Sequence, residues 1–311
     1  MEKGSHAHVH HHHGELKGRN LGIAILLNIG ITLIQVIGGF ISGSLALLSD
    51  ALHNFSDVLA LLMSWFASRL SMRKQTPKQT FGYKRAEVIA ALFNAISLFI
   101  IAFYLLKEAV QRIMEPQDIQ SGLVMILGGL SIILNGLSVL LIQKDAKQNM
   151  NMRSAYLHLL SDMVSSIAVV LGGLAMYLWH IPWIDSILSI AIAIYLVYSS
   201  WGLIKESIRI LMQFAPHSIN LKQIQEKMKA IDEIENMHHV HVWQLDDKQI
   251  NFEAHISFKE DLLLSEVKQI MSKLEHMLHD EFEINHVTLQ PELNGSCKDE
   301  SMVSQERKHV H

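Results

Sequence analysis

The chain has 311 residues, half of them hydrophobic and only 18% charged, with a formal net charge of −4. That composition lies between a soluble domain and a wholly embedded protein, and the negative balance argues against a nucleic-acid partner. A single cysteine, Cys297, excludes an intrachain disulfide framework and a cysteine-rich zinc finger.

Residues 1–20 hold the stretch SHAHVHHHHG and read as a disordered, metal-attracting cytoplasmic tail. His10–His13 resembles a short tag, but its histidines follow others interleaved with Ala and Val, which favours a native tract. The polar start ahead of the first apolar run argues against a cleavable signal peptide.

Six apolar runs follow: Leu21–Phe40, Leu45–Leu70, Val88–Leu106, Gly122–Ile142, Ala155–Trp179 and Ile184–Ile204. Each has about the twenty residues a helix needs to cross roughly 30 Å of hydrocarbon. Gly38-Gly39, Gly128-Gly129 and Gly172-Gly173 mark points where helices approach closely. Asn28, Gln35, Asn94 and Asn135 read as interhelical hydrogen-bonding residues. Basic residues gather in the N-terminal tail (Lys3, Lys17, Arg19) and the loop between the second and third runs (Arg73, Lys74, Lys78, Lys84, Arg85). They recur between the fourth and fifth runs (Lys144, Lys147, Arg153) and after the sixth (Lys205, Arg209). The opposite loops are nearly bare, so both termini are expected in the cytoplasm of a multi-pass protein.

Within the second run stands SDALHNFSD, Ser49–Asp57. Asp50, His53 and Asp57 sit at i, i+3 and i+7, on one face of a helix. In the fifth run HLLSD repeats the pattern with His158 and Asp162. Charge inside a bilayer costs several kcal/mol and persists where it meets a cavity, a partner or an ion. Two such turns facing each other supply two imidazoles and two carboxylates, a tetrahedral set for a divalent metal such as zinc. Asp50 and Asn54 stand beside these four as supporting groups.

From about Gln213 the composition becomes that of a soluble domain. The spacing predicts a helix over Asn220–Ile234, strands over His239–Leu245 and Ile250–Phe258, a helix over Leu262–Phe282 and a strand over His286–Gln290. On the first strand His239 and His241 share a face; His238 points the other way unless it precedes the strand. The expected fold is thus an α-helical membrane protein with six transmembrane helices and a small cytoplasmic α+β (α-β-β-α-β) domain. The expected divisions are 1–20, 21–205, 206–293 and a flexible tail over 294–311.

The six spans, HNFSD and HLLSD, the segment FGYKRAEVIAALFN and the run HHVHVWQL together resemble the zinc-exporting branch of the cation diffusion facilitators. The resemblance covers about Leu21 to Glu292 and implies a metallochaperone-like, ferredoxin-like C-terminal domain. It puts the transport site on His53, Asp57, His158 and Asp162, and implies a homodimer exporting Zn2+, sometimes Cd2+ or Co2+, against protons. It makes His238, His255 and Glu292 the expected cytoplasmic zinc ligands, with Cys297 as a fourth, and gives that zinc a regulatory role. Ser71–Arg85 contains neither Asp nor His, so the second loop site of some members is not expected. The short, His-free Gln143–Arg153 favours a bacterial plasma-membrane protein. An intramembrane zinc hydrolase lacks an HExxH motif here, and a metal sensor that transports nothing has no need of six spans.

Overall fold

The computed structural model describes residues 19–146 and 150–293. The N-terminal histidine tract and Cys297 lie outside the described residues. Six long helices come first: α1 (Arg19–Ser42), α2 (Leu45–Ser71), α3 (Ala86–Met114), α4 (Ser121–Ala146), α5 (Met150–Trp179) and α6 (Trp183–Leu211). All six are long and apolar enough to cross a membrane. The helices outrun the apolar runs because Lys, Arg and Glu at their ends continue the same backbone hydrogen bonding. Thus α6 continues through the expected boundary at residue 205 and ends at Leu211.

The chain forms two compact units. The first joins residues up to Leu59 with Ser97–Ser200. Its helices approach at glycine: a Cβ on Gly39 would lie 3.1 Å from the Leu48 backbone, and one on Gly128 would lie 2.6 Å from the Val170 side chain. Gly43, with φ +71°, makes the turn between α1 and α2 in a conformation other residues rarely adopt.

The second unit joins Ala60–Ile96 with the chain from Trp201 onward. It contains α7 (Leu221–Lys229), β1 (Ile234–Gln244), β2 (Ile250–Phe258), α8 (Leu264–Phe282) and β3 (His286–Leu293), the expected α-β-β-α-β order. Asn220 caps α7, its side-chain oxygen accepting from the Lys222 and Gln223 amides. The sheet order is β1-β2-β3, antiparallel between β1 and β2 and parallel between β2 and β3. Ile224 and Met228 of α7 and Ile270, Leu274 and Leu278 of α8 bury one sheet face together with Met237, Val242, Phe252 and Ile256.

Two expectations change here. The first helix of this domain stops at Lys229, and β1 begins at Ile234 rather than His239. The strand's alternation is broken by two register shifts, between Ile234 and Asn236 and between His238 and His241, which hide it from a period-two reading.

Candidate metal centres

α2 and α5 bring their two H-x-x-S-D turns together. His53 Nε2 lies 3.6 Å from Asp57 Oδ2, one helical turn away. His158 Nε2 lies 3.4 Å from the same Asp57 oxygen and 3.6 Å from Asp162 Oδ2. The two imidazoles stand edge to face with centroids 6.3 Å apart, and Tyr195 of α6 stands edge-on to His53 at 6.1 Å. Asp57 Oδ2, both Asp162 oxygens and His53 Nδ1 are buried with no hydrogen-bond partner. Leaving carboxylate oxygens dry and undonated is expensive. The edge of a tetrahedron with bonds of about 2.1 Å, the zinc–nitrogen and zinc–oxygen length, is about 3.4 Å. The observed separations fit ligands that share such a cation better than they fit hydrogen bonds. Asp162 is sealed at 1% exposure while His158 remains 41% exposed, so the group opens on the His158 side.

Asp50 and Asn54 belong to a neighbouring network. Gln35 of α1 donates to Asp50 Oδ2 at 2.9 Å, and Ser165 and Ser166 of α5 donate at 2.6 and 3.4 Å. Asn54 donates to Gln35 Oε1 at 3.4 Å, while Ser166 shares a 2.8 Å hydrogen bond with Ser131 of α4. Asp50 thus has its own donors and ties α2 to α1 and α5. Sequence reasoning missed Ser165 and Ser166, though they stand three and four residues after Asp162, at helical spacing from it.

It also missed Asp185, at the start of α6. This carboxylate is fully buried and accepts from Ser44 Oγ at 2.5 Å, the Leu45 amide at 2.7 Å and the Ala46 amide at 3.3 Å. It caps α2 from 140 residues away, meeting the orphan donors and the positive end of the helix dipole. Arg112 donates to the Gly43 carbonyl beside it.

The second group lies in the sheet. His238 on β1 pairs directly with His255 on β2, and Gln290 on β3 pairs with His255 in turn, two residues before Glu292. Glu292 reaches both histidines: Oε2 is 3.3 Å from His238 Nε2 and Oε1 is 2.7 Å from His255 Nδ1. One ligand atom from each of the three lies within 4.8 Å of the others. His238 faces this group from inside the strand, correcting the condition that it must precede β1. His239 occupies the second irregularity at φ +51°, with its ring 4.7 Å from His255 and 5.0 Å from His241. Burial, with His255 and His241 pushing the same way, holds its imidazole below the ordinary value of 6.5. His276 and His279 are exposed on α8, hydrogen-bonded to Ser272 and Asp280.

Six membrane-length helices, a partly buried cluster of imidazoles and carboxylates between two of them, and a small αβ domain define a metal-cation transporter rather than an enzyme. Residues 21–212 match the cation efflux transmembrane domain and residues 216–294 match the cytoplasmic domain of cation efflux proteins, so the chain belongs to the cation efflux family and is a multi-pass membrane protein. It is 32% identical to the cadmium, cobalt and zinc/H(+)-K(+) antiporter of Bacillus velezensis over 311 residues, covering 98% of this chain and 99% of that one. It is 33% identical to the zinc transporter ZitB of Escherichia coli over 291 residues, 93% and 92% of the two chains. To the metal cation efflux system protein CzcD of Cupriavidus metallidurans it is 32% identical over 286 residues, 92% and 90%.

Proposed function

We propose that this protein exports Zn2+ from the cytoplasm in exchange for protons, with Cd2+ and Co2+ as further cargo. His53, Asp57, His158 and Asp162 form the transport site. The observation that carries this reading is their convergence at ligand separations, with undonated buried oxygens, inside helices of membrane length. The names of the relatives, among them an antiporter and a zinc transporter, support the cargo and the exchange.

Two carboxylates cancel the two charges of the cargo, so the loaded site crosses the low-dielectric interior near neutrality. Imidazole and carboxylate must lose their protons to coordinate, so protons and metal compete for the same atoms. Protons that take the vacated ligands on one side return the site neutral to the other. Asp50, saturated by Gln35 and the two serines, orients α2 without coordinating, and Asn54 acts through Gln35. The asymmetry of Lys and Arg supports cytoplasmic termini, the short, His-free Gln143–Arg153 supports a bacterial plasma-membrane location, and the match to the cytoplasmic domain of cation efflux proteins supports a homodimer. In proteoliposomes, zinc flux should rise with an imposed pH gradient and collapse when the gradient is dissipated. Flux indifferent to the gradient would remove the exchange.

Replacing His53 with aspartate exchanges a borderline ligand for a hard oxygen, and should move metal preference toward Mn2+ and Fe2+. Competition between metals in the same vesicles reads this directly, and an unchanged ranking would refute it.

The sheet cluster is the regulatory zinc site. Its imidazoles and carboxylate suit zinc, and a bound ion would tie β1, β2 and β3 together, with Cys297 as a candidate fourth donor. His238→Ala combined with His255→Ala should abolish most of the zinc-dependent rise in melting temperature of the full protein. It should also shift the half-maximal zinc concentration for transport while sparing part of the maximal rate. Loss of all transport in a folded variant would make these residues part of the pathway instead.

A further inference from the structure

We infer that Asp50 carries one of the exchanged protons, holding it while the transport site is empty and losing it when the cation binds. The inference rests on the four-residue transport site and the exchange proposed above. Asp50 is 1% exposed inside α2, and its hydrogen-bond partners Gln35, Ser165 and Ser166 are all neutral. The titratable groups that face it are His53, one turn along its own helix, and Asp162 of α5. The residues its network reaches on α1 and α4, namely Gln35, Ser131 and Asn135, do not titrate. A buried carboxylate whose partners are all neutral has no cation to offset its charge, and inside a bilayer such a group lowers its cost by binding a proton.

The two oxygens of Asp50 meet different chemistry. Oδ2 accepts from the Gln35 amide at 2.9 Å, and an amide nitrogen only donates. Oδ1 is paired at 2.6 Å with the Ser165 hydroxyl, which either donates or accepts. A proton on Oδ1 therefore asks only that this hydroxyl rotate, while Oδ2 keeps its bond from Gln35. His53 stands three residues on, about 4.5 Å along the helix axis, so a divalent cation at the four ligands acts on Asp50 at short range through a low-dielectric interior. The charge of the cation expels the proton, and its departure lets one return. With cytoplasmic termini, the Leu45 end of α2 faces outward, and Asp50 lies on the outer side of His53, away from the exposed His158. The proton joins Oδ1 from outside once the cation has left, and passes to the cytoplasm when the next cation binds. One proton thus enters for each cation exported, beside any that the four ligands exchange, and Asp50 never touches the metal.

The test measures the coupling ratio of the full-length protein in proteoliposomes, with zinc as cargo and the membrane potential clamped at zero. The zinc gradient at which net flux stops shifts about tenfold per pH unit for each coupled proton. Asp50→Asn copies the shape of the protonated acid, its oxygen accepting from Gln35 and its nitrogen donating to Ser165. In this variant the stopping gradient should shift about tenfold less per pH unit than in wild type, while zinc–zinc exchange is retained. Asp50→Glu keeps an acid and should keep the wild-type ratio. An unchanged ratio in Asp50→Asn overturns the inference, as does an Asp50→Glu protein coupled no better than Asp50→Asn. So does loss of zinc–zinc exchange in folded Asp50→Asn, which would leave Asp50 as a positioning residue alone. If Asp50→Asn does not fold, infrared difference spectra decide. A protonated carboxyl band should vanish when zinc is added to wild type, and should lie at a different frequency in Ser165→Ala, which keeps Asp50 and all four ligands. A band at the same frequency in both proteins overturns the inference. A wild-type stopping gradient that ignores pH would instead remove the exchange itself, a failure seen before any variant is made.

Discussion

On the proposed transport site, Asp162→Ala and Asp57→Ala should each reduce zinc flux at least about 100-fold while the protein still folds. Removing either carboxylate leaves a divalent cargo with one uncompensated charge, and breaking a buried charge pair typically costs about 3–5 kcal/mol. Asp162 has the drier environment of the two, and Asp57 is the one that lies within reach of both imidazoles. Proteoliposome flux measures the loss, and size-exclusion chromatography with a melting curve checks folding. Normal flux from either folded variant would remove that residue from the transport site.

The largest stability loss is expected at Asp185. Replacing it with alanine strands the Ser44 hydroxyl and the Leu45 and Ala46 amides where Asp185 now buries them. Three unsatisfied donors and a lost cap sum to about 3–5 kcal/mol. Asp185→Asn keeps one acceptor oxygen and should lose about half as much. Thermal unfolding in detergent resolves the three proteins. Coincident melting of wild type and Asp185→Ala would show that water replaces the carboxylate at no cost.

The contrast between these two aspartates explains how much was legible. Asp57 and Asp162 stand out in sequence because each follows a histidine by one helical turn inside an apolar run. Their pattern is local, and the cost of charge in a membrane makes it conspicuous. Asp185 follows Trp183 at the edge of a span, where an acid is unremarkable, and its partners lie 140 residues away. Nothing within its own segment records that α2 needs a cap. The same limit applied to Gln35, which reads as a generic polar residue until Asp50 and Asn54 are seen on either side of it. The αβ domain was legible in order and approximate extent, because α7, β2 and α8 keep their periods. The boundary between α7 and β1 was misjudged: the helix stops at Lys229 rather than Ile234, and β1 starts at Ile234 rather than His239, where the period fails.

That failure has a geometric use. The core-facing residues of β1 are Ile234, Met237, Val240 and Val242, spaced three, three and two apart. A strand of unbroken alternation anchored on Ile234 or on Val242 would send His238 inward and Met237 outward. Each register shift inverts the parity of the strand, and two inversions cancel. Only Asn236–His238 therefore runs in opposite phase, a three-residue slip that puts Met237 in the core, turns His238 toward Glu292 and leaves the flanking strand in step. Length changes within this segment are constrained accordingly. Losing the extra residue at each shift would give a regular strand with Met237 still inward and His238 still facing Glu292, whereas straightening the strand at its present length would turn the His238 imidazole into the core.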